Sequence, residues 1–184
     1  MLTSVGLGWS GIEVARFIGH DELSILPSPK HHAIVHLNHR PLDLTHRLDG
    51  QLREERVHRG EVAIIPEGRA WEQGFKGETE SDLLPLCLED AFLREAARSV
   101  DADPEGMEIL PILGSRDPRI EQIGLLLKEE IEAEGLIGGR LCAESLTTAL
   151  ANSLIRDHSS PGRKAARKQH SNMPVAFPGV RSKK

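Results

Sequence analysis

A series of short alternating strands joined by tight turns most limits the folds open to this 184-residue chain. Residues 31–39 and 42–48 alternate between two faces, as strands do. Asp49-Gly50 follows them, a pair typical of the hairpin turn in which both central residues have positive φ. The strands continue at residues 51–57, 61–65, 71–75 and 82–88. This spacing, with no helix between the strands, predicts a β-barrel or sandwich over residues 1–88.

The strand at residues 31–39 has two different faces, and the sequence leaves open which one lines the barrel. One face carries Ala33, Val35 and Leu37, and the other carries His32, Ile34 and His36. If the apolar face points inward, the histidines lie in solvent. If the mixed face points inward, two histidines enter the cavity.

Residues 89–158 are predicted to be mainly helical. A short helix at residues 91–100 and a loop at 101–116 precede Asp117-Pro118, an N-cap residue followed by proline at the first helical position. We expect two long amphipathic helices after it. Their apolar stripes include Ile123 and Leu127 in the first, and Leu146 and Leu150 in the second. These stripes could cover the barrel or pair two copies of the chain, and we assign these four residues to a homodimer interface.

Residues 159–184 read as a basic, disordered tail. The chain has 23 basic and 28 acidic side chains, a net charge of −5. Residues 158–184 hold seven Lys or Arg and no Asp or Glu, which leaves a net charge of −12 on residues 1–157. An acidic domain of this kind does not wrap DNA by itself.

Composition indicates a soluble globular protein and excludes several classes. Hydrophobic residues make up 39% of the chain, and the two cysteines form no zinc-finger pattern. Only two Trp, four Phe and no Tyr are present, too few for a platform that stacks single-stranded nucleic acid. With no apolar run long enough for a membrane span and no signal peptide, a cytoplasmic location is expected.

Catalytic motifs are missing from the sequence. No G-x-S-x-G and no H-E-x-x-H occurs, and the paired glutamates near residue 130 read as solvent-exposed charge. Cys87 and Cys142 lie in apolar patterns and are interpreted as buried small hydrophobes. We therefore expect no catalytic residue, no cofactor and no metal ligand, with a metal site built from His32, His36 and His46 as an alternative.

One segment carries a resemblance to the cupin superfamily. Gly60, Pro66 and Gly68 match that family's G-x5-P-x-G-x2-H pattern, except that Trp71 stands at the histidine position. In metal-binding cupins that position points into the barrel and holds a ligand, which an indole cannot do. The family's H-x-H motif is missing as well. The resemblance therefore implies a cupin-like, jelly-roll barrel of the kind that binds no metal.

The order of elements resembles the N-terminal effector-binding and dimerisation domain of AraC-type transcription regulators. The resemblance covers residues 9–158. Its matching segments are residues 47–50, 59–68, 86–93, 116–118 and 141–146. In that family the barrel binds a small effector, two helices pair the subunits, and a C-terminal double helix-turn-helix domain binds DNA. The residues after 158 show no helix-turn-helix periodicity, so we expect DNA contact only through an absent or partner domain.

The resemblance implies a non-enzymatic ligand sensor with a small-molecule effector in its barrel. Trp71 is the first candidate for contact with the effector, and Glu72, His32, His36 and Arg16 are further candidates from strands that could line the cavity. Two other functions remain open. The chain could be a small metal-dependent cupin enzyme, or a dimerisation module that binds no small molecule.

Overall fold

The computed structural model of the protein describes residues 2–20, 23–75, 80–133 and 138–160, which form strands and three helices. The strands are β1 (Leu2–Thr3), β2 (Ile12–Gly19), β3 (Leu23–Ile25), β4 (Lys30–His36), β5 (Leu42–Leu48), β6 (Gln51–Val57), β7 (Glu61–Ile65), β8 (Trp71–Phe75), β9 (Ser81–Glu89), β10 (Glu108–Ile109), β11 (Ile112–Arg116) and β12 (Ser159–Ser160). The helices are α1 (Asp90–Ser99), α2 (Pro118–Glu132) and α3 (Gly139–Asp157).

Two antiparallel sheets form the body of the fold. The larger has six strands in the order β1-β2-β9-β4-β7-β11, and the smaller has four in the order β3-β8-β5-β6. Strands β10 and β12 pair separately. The mainly β architecture expected from the alternating segments is therefore confirmed.

The turn between β5 and β6 has the geometry that its sequence indicates. Asp49 has φ 47° and Gly50 has φ 82°, and Leu48 pairs with Gln51 across the turn. Positive φ at both positions matches the right-handed twist of the flanking strands. Glycine and aspartate accept this conformation more readily than most residues do. This turn sets the register of β5 against β6 and so decides which side chains of β6 face the other sheet.

One face of the six-stranded sheet packs against the helices. This helix layer is a single apolar cluster in which side chains such as Val35 and Leu86 meet Ile120, Leu127 and Leu150. Each fully buried aliphatic side chain contributes roughly 1.5–3 kcal/mol of transfer free energy. Because β4 is covered on this face and faces the smaller sheet on the other, both of its faces are buried. The alternation in residues 31–39 therefore separates two kinds of core, and His32, Ile34 and His36 face the smaller sheet.

The helices begin and bury their surfaces in different ways. Asp117 caps α2, because its side chain accepts hydrogen bonds from the backbone N–H groups of Arg119 and Ile120. In α3, Cys142 is exposed. The buried residues of α3 include the neighbours Leu150 and Ala151 and the three consecutive residues 153–155. Helix α3 is thus buried over a wider arc than a single stripe. Within the described residues, no helix is long and apolar enough to cross a membrane.

Two expectations about the chain after residue 88 need correction. The segment 101–116, expected to be a loop, contains β10 and β11, and β11 joins the edge of the six-stranded sheet beside β7. Pro111 stands between these strands and weakened the sequence signal for them. Ser159 and Ser160, expected to begin a disordered tail, form β12. The rest of that tail lies outside the described residues.

Candidate functional site

The space between the two sheets, called the interior below, is the candidate functional site. Its apolar part is a cluster separate from the helix layer. Ile34, Ile65 and Leu83 come from the larger sheet, and Trp71 comes from β8 of the smaller one. Trp71 is completely buried. The interior therefore has an apolar wall and an indole at its centre.

Four side chains with polar atoms share this interior, and we call them the interior polar set: His36, His46, Trp71 and Gln73. Each has at most 1% of its surface exposed. Within the described part of the chain, no hydrogen-bond partner exists for either ring nitrogen of His36 or His46, for the Trp71 indole N–H, or for the amide of Gln73. Buried polar groups are almost always paired with protein or water, so four such neighbours need an explanation.

Burial keeps the two histidines of the set neutral. It lowers the pKa of His36 to about 3, with a further contribution from His46, and it lowers the pKa of His46 to about 4. The His46 ring stacks on Trp71, with ring centroids 5.7 Å apart and an interplanar angle of 29°. At neutral pH each imidazole offers one donor and one acceptor. The interior therefore holds uncharged donors and acceptors, whose hydrogen-bonding capacity matches that of an uncharged polar group.

Glu55 lies at the seam where β6 approaches β11. Its carboxylate oxygen Oε2 is 3.8 Å from Nε2 of His46. The carboxylate also lies over Gly114, where an added Cβ would meet its oxygen atoms. Burial and the neighbouring Glu61 raise the pKa of Glu55, against a smaller opposing effect of Arg53. A side chain at Gly114 would therefore require the Glu55 carboxylate to move, and the φ of 66° at this position itself favours glycine.

A cavity of about 250 Å³ opens beside the seam, and we call it the mouth. Leu48 and Leu113 line it, and both also pack against the interior cluster around Trp71. Arg53 and Arg69 line it as well. In the strand register, Leu48 lies opposite Trp71, and Arg53 lies opposite His46. The mouth therefore lies beside the interior polar set, although no member of the set lines it.

The structure brings two of the predicted effector-binding residues into the interior. Trp71 lies at its centre, and His36 lies on the inward face of β4. His32 shares that face nearer the start of the strand, where its Nε2 is 3.2 Å from the Ser28 hydroxyl. Burial, with His31 and Lys30, lowers the pKa of His32 to about 4. Effector contact by these residues stays a prediction.

The other two candidates lie on different surfaces. Glu72 points out of the smaller sheet and forms an ion pair with Arg47, 3.3 Å between Oε2 and Nε. Arg16 lies on the same face of β2 as Ile12 and Val14, which is the face toward the helices. It forms two hydrogen bonds to Asp82 there, of 2.9 and 2.8 Å. Successive side chains of a strand point to opposite faces of its sheet. Neither Glu72 nor Arg16 lines the interior, because each lies on the face of its strand that points away from it.

The stripe assigned to a dimer interface is used within the chain. Ile123, Leu127 and Leu150 are buried in the helix layer, and Leu146 packs against it. Three of these side chains are thus covered within the chain, and Leu146 is only partly buried. The assignment of the four residues to subunit pairing stays a prediction.

A second polar cluster, which the sequence did not indicate, ties the barrel to α1. The Glu67 backbone N–H donates to Nδ1 of His31, so the proton of the ring lies on Nε2, which donates to Asp90 at 3.0 Å. Arg94 donates to Asp90, to Glu67 at 3.2 Å, and to the Pro104 carbonyl at 2.8 Å. Burial would raise the pKa of Asp90, but hydrogen bonds from Arg94 and His31 lower it overall. The cluster acts as a structural link.

This second cluster also contains the only set of three potential metal ligands found in the described residues: His31, Glu67 and Asp90, whose ligand atoms lie within 4.8 Å of one another. The set does not fit a metal ion. Both nitrogens of His31 are engaged, and the Arg94 guanidinium already binds both carboxylates. A cation there would have to displace a fixed positive charge.

Gln73 is the member of the interior polar set that sequence reasoning missed. It lies two positions after Trp71, and side chains two apart in a strand share a face. With Trp71 pointing inward, strand periodicity alone therefore predicts that Gln73 points inward as well. His46 lies in β5, and its position opposite Gln73 depends on the pairing of β5 with β8, which no local pattern reveals.

Comparisons with known proteins give a likeness of fold only. No protein-family model and no curated protein matches the chain. The plu4264 protein of Photorhabdus luminescens has 12% sequence identity and a TM-score of 0.38, over 52% of this chain and 81% of that one. Protein NMB1881 of Neisseria meningitidis has 15% identity and a TM-score of 0.33, over 44% and 76%.

A third similar structure is the cupin domain of Cnp3 from Schizosaccharomyces pombe. It has 14% identity and a TM-score of 0.35, over 50% of this chain and 63% of that domain.

Proposed function

We propose that this chain is a non-enzymatic ligand-sensing domain of an AraC-type transcription regulator and binds a small-molecule effector between its two sheets. The observation that supports this most is the interior polar set, four buried neighbours whose polar atoms have no partner in the described part of the chain. The mouth lies beside these groups, and Leu48 and Leu113, which line it, pack against the cluster around Trp71.

The energetic argument is that the described residues supply no hydrogen-bond partner to the interior polar set, so a ligand that supplies one stabilises these groups. Each buried polar group without a partner costs about 1–3 kcal/mol. Apolar side chains of the same size would avoid that cost. A ligand that pairs with these groups regains the lost hydrogen bonds on binding, and stability is often given up at binding sites in this way.

The regulatory part of the proposal is supported by the sequence resemblance. Residues 47–50 form the turn between β5 and β6, and residues 59–68 lead into and out of β7. In an AraC-type regulator the effector would act by linkage: it would favour one arrangement of a homodimer and of the helix-turn-helix unit, on a linked or partner chain, that contacts DNA.

A thermal-shift screen of small molecules against the whole chain tests the proposal. A specific ligand must raise the melting temperature by mass action. Each hit is then titrated against Gln73→Met and, as a matched control, against Gln122→Met on the exposed face of α2. We expect the interior variant to lose the shift and the control to keep it. A library in which no molecule raises the melting temperature would contradict the sensor proposal and favour a dimerisation module.

A metal-dependent cupin enzyme is the second candidate, favoured by the ring nitrogens of His36 and His46, which accept no hydrogen bond from described residues. The described His, Cys, Asp and Glu groups supply no third ligand beside them. Among the described residues, the only three such groups with ligand atoms within 4.8 Å of one another are His31, Glu67 and Asp90. Elemental analysis of purified protein decides this. Stoichiometric iron, zinc or manganese that is lost in His36→Leu would replace the sensor proposal with the enzyme.

A further inference from the structure

The mouth contains two arginines from separate elements above an apolar floor. Arg53 lies on the inward face of β6, and Arg69 lies in the turn between β7 and β8. The floor is formed by Leu48, Leu113 and Pro111. The mouth has a volume of about 250 Å³, which is smaller than the volume of cavities that hold drug-sized ligands. The site therefore combines positive charge with a small apolar surface.

Arg69 is held by an incomplete interaction. Its Nε forms an ion pair with Oδ2 of Asp49 at 2.5 Å, but no hydrogen bond joins this N–H to a described residue. This buried N–H therefore has no aligned acceptor among the residues that the structure describes. A guanidinium pairs best with a carboxylate that meets two N–H groups in one plane, which Asp49 does not do here.

Arg53 completes the pair on the other side of the cavity. Its side chain is exposed, and the acid beside it is Glu55, whose own carboxylate is turned toward His46 and Gly114. Arg53 lies opposite His46 in the register, a separation of about 5 Å between Cβ atoms for direct neighbours. A group bound by Arg53 would thus lie at the boundary between solvent and the interior polar set.

We propose that the mouth binds the carboxylate of a small monocarboxylic acid, with Arg53 and Arg69 on the carboxylate and the apolar part of the ligand on Leu48 and Leu113. This inference rests on the proposed function, because it names the class of molecule that the sensor would recognise. Asp49 competes with the ligand for Arg69, so the protein sets its affinity through an internal carboxylate.

Calorimetric titration of the whole chain with butanoate, isovalerate and phenylacetate, each beside its primary amide, tests the proposal. Loss of a charge-assisted pair corresponds to about a tenfold change in affinity or more. We expect the preferred carboxylate to bind at least tenfold more tightly than its amide. Arg53→Gln and Arg69→Gln should each remove that advantage.

Two further variants make the result specific. Asp49→Asn keeps a residue that accepts positive φ but removes the competing charge, so carboxylate affinity should rise several-fold. Arg56→Gln removes the same charge from the outer face of the same strand and should change nothing. Inorganic phosphate should bind more weakly than the preferred carboxylate, because it gains nothing from the apolar floor.

The outcomes separate this inference from the proposed function. If screened ligands bind and depend on Gln73 but not on Arg53 or Arg69, the carboxylate assignment is wrong and the sensor stands. Equal binding of acid and amide, or of phosphate and acid, also overturns the assignment. If neither the screen nor any of the probes gives binding, both proposals fail together.

Discussion

The two faces of the six-stranded sheet differ in chemistry although both are buried. The face toward the helices is a large apolar cluster, with the Arg16–Asp82 ion pair as a polar exception. The face toward the smaller sheet places Ile34 and Leu83 beside the interior polar set. The same strands, β4, β7 and β9, supply both faces. The difference therefore belongs to alternate residues of one sheet, and not to separate parts of the chain.

This comparison assigns different roles to the two faces. The helix layer supplies most of the apolar burial and therefore most of the stability. The interior retains polar groups that a core selected only for stability would replace. We interpret the first as the scaffold and the second as the ligand site.

The largest expected effect is a loss of packing in the helix layer. Leu127→Ala removes a side chain with no exposed surface and should lower the free energy of unfolding by about 2–5 kcal/mol. Its neighbour Leu126 is 41% exposed, so Leu126→Ala serves as the control and should change stability by less than about 1 kcal/mol. Urea denaturation measures both. Similar losses in the two variants would mean that α2 does not pack as described.

The next effect comes from the interior histidines and depends on pH. In the unfolded chain each histidine gains a proton below about pH 6.5, whereas the folded chain resists protonation of His36 until about pH 3 and of His46 until about pH 4. Stability is therefore complete above pH 6.5 and falls as the solution is acidified. At pH 5 each histidine should lower the free energy of unfolding by about 2 kcal/mol relative to its value at pH 7.

Denaturation of wild type and His36→Leu at several pH values isolates this contribution. Between pH 7 and pH 5, the free energy of unfolding of the variant should fall by about 2 kcal/mol less than that of wild type. Parallel pH dependences for the two proteins would show that His36 is not held neutral in a buried site.

The smallest effect is expected at the exposed surface of the smaller sheet. Glu72 and Arg47 form an ion pair in which the side chains are 63% and 53% exposed. Such pairs contribute little, so Glu72→Gln should change the free energy of unfolding by less than about 0.5 kcal/mol. Ligand affinity should also stay the same. A loss of binding in this variant would move the site from the interior to the outer face.

Local sequence patterns predicted the parts of the fold that depend on neighbours in the chain. The Asp49-Gly50 turn and the Asp117 cap lie where their residue types indicate. Strand β11 was missed because it is short, follows Pro111 and is held by pairing with the distant β7. The four apolar residues assigned to a dimer interface show the same limit. An apolar stripe predicts burial, but the surface that covers it depends on the tertiary fold.

The candidate site shows which information the sequence lacked. Trp71 was placed inward through its position in a motif, and Gln73 follows from strand periodicity. The face of β4 could not be chosen, because burial on both sides makes Val35 and His36 equally buried. That His46 lies near Trp71 and Gln73 is a consequence of strand order, which no single strand encodes.

The stability of Gln73→Met tests the central claim most directly. If the Gln73 amide is buried without partners in the empty protein, an unbranched apolar side chain of similar size should raise the free energy of unfolding by about 1–3 kcal/mol. The matched change Gln122→Met on the exposed face of α2 should stay within about 0.5 kcal/mol of wild type. Urea denaturation of the three proteins without ligand gives the answer. A Gln73→Met protein that is less stable than wild type would show that the amide is satisfied in the folded chain, and would contradict the account.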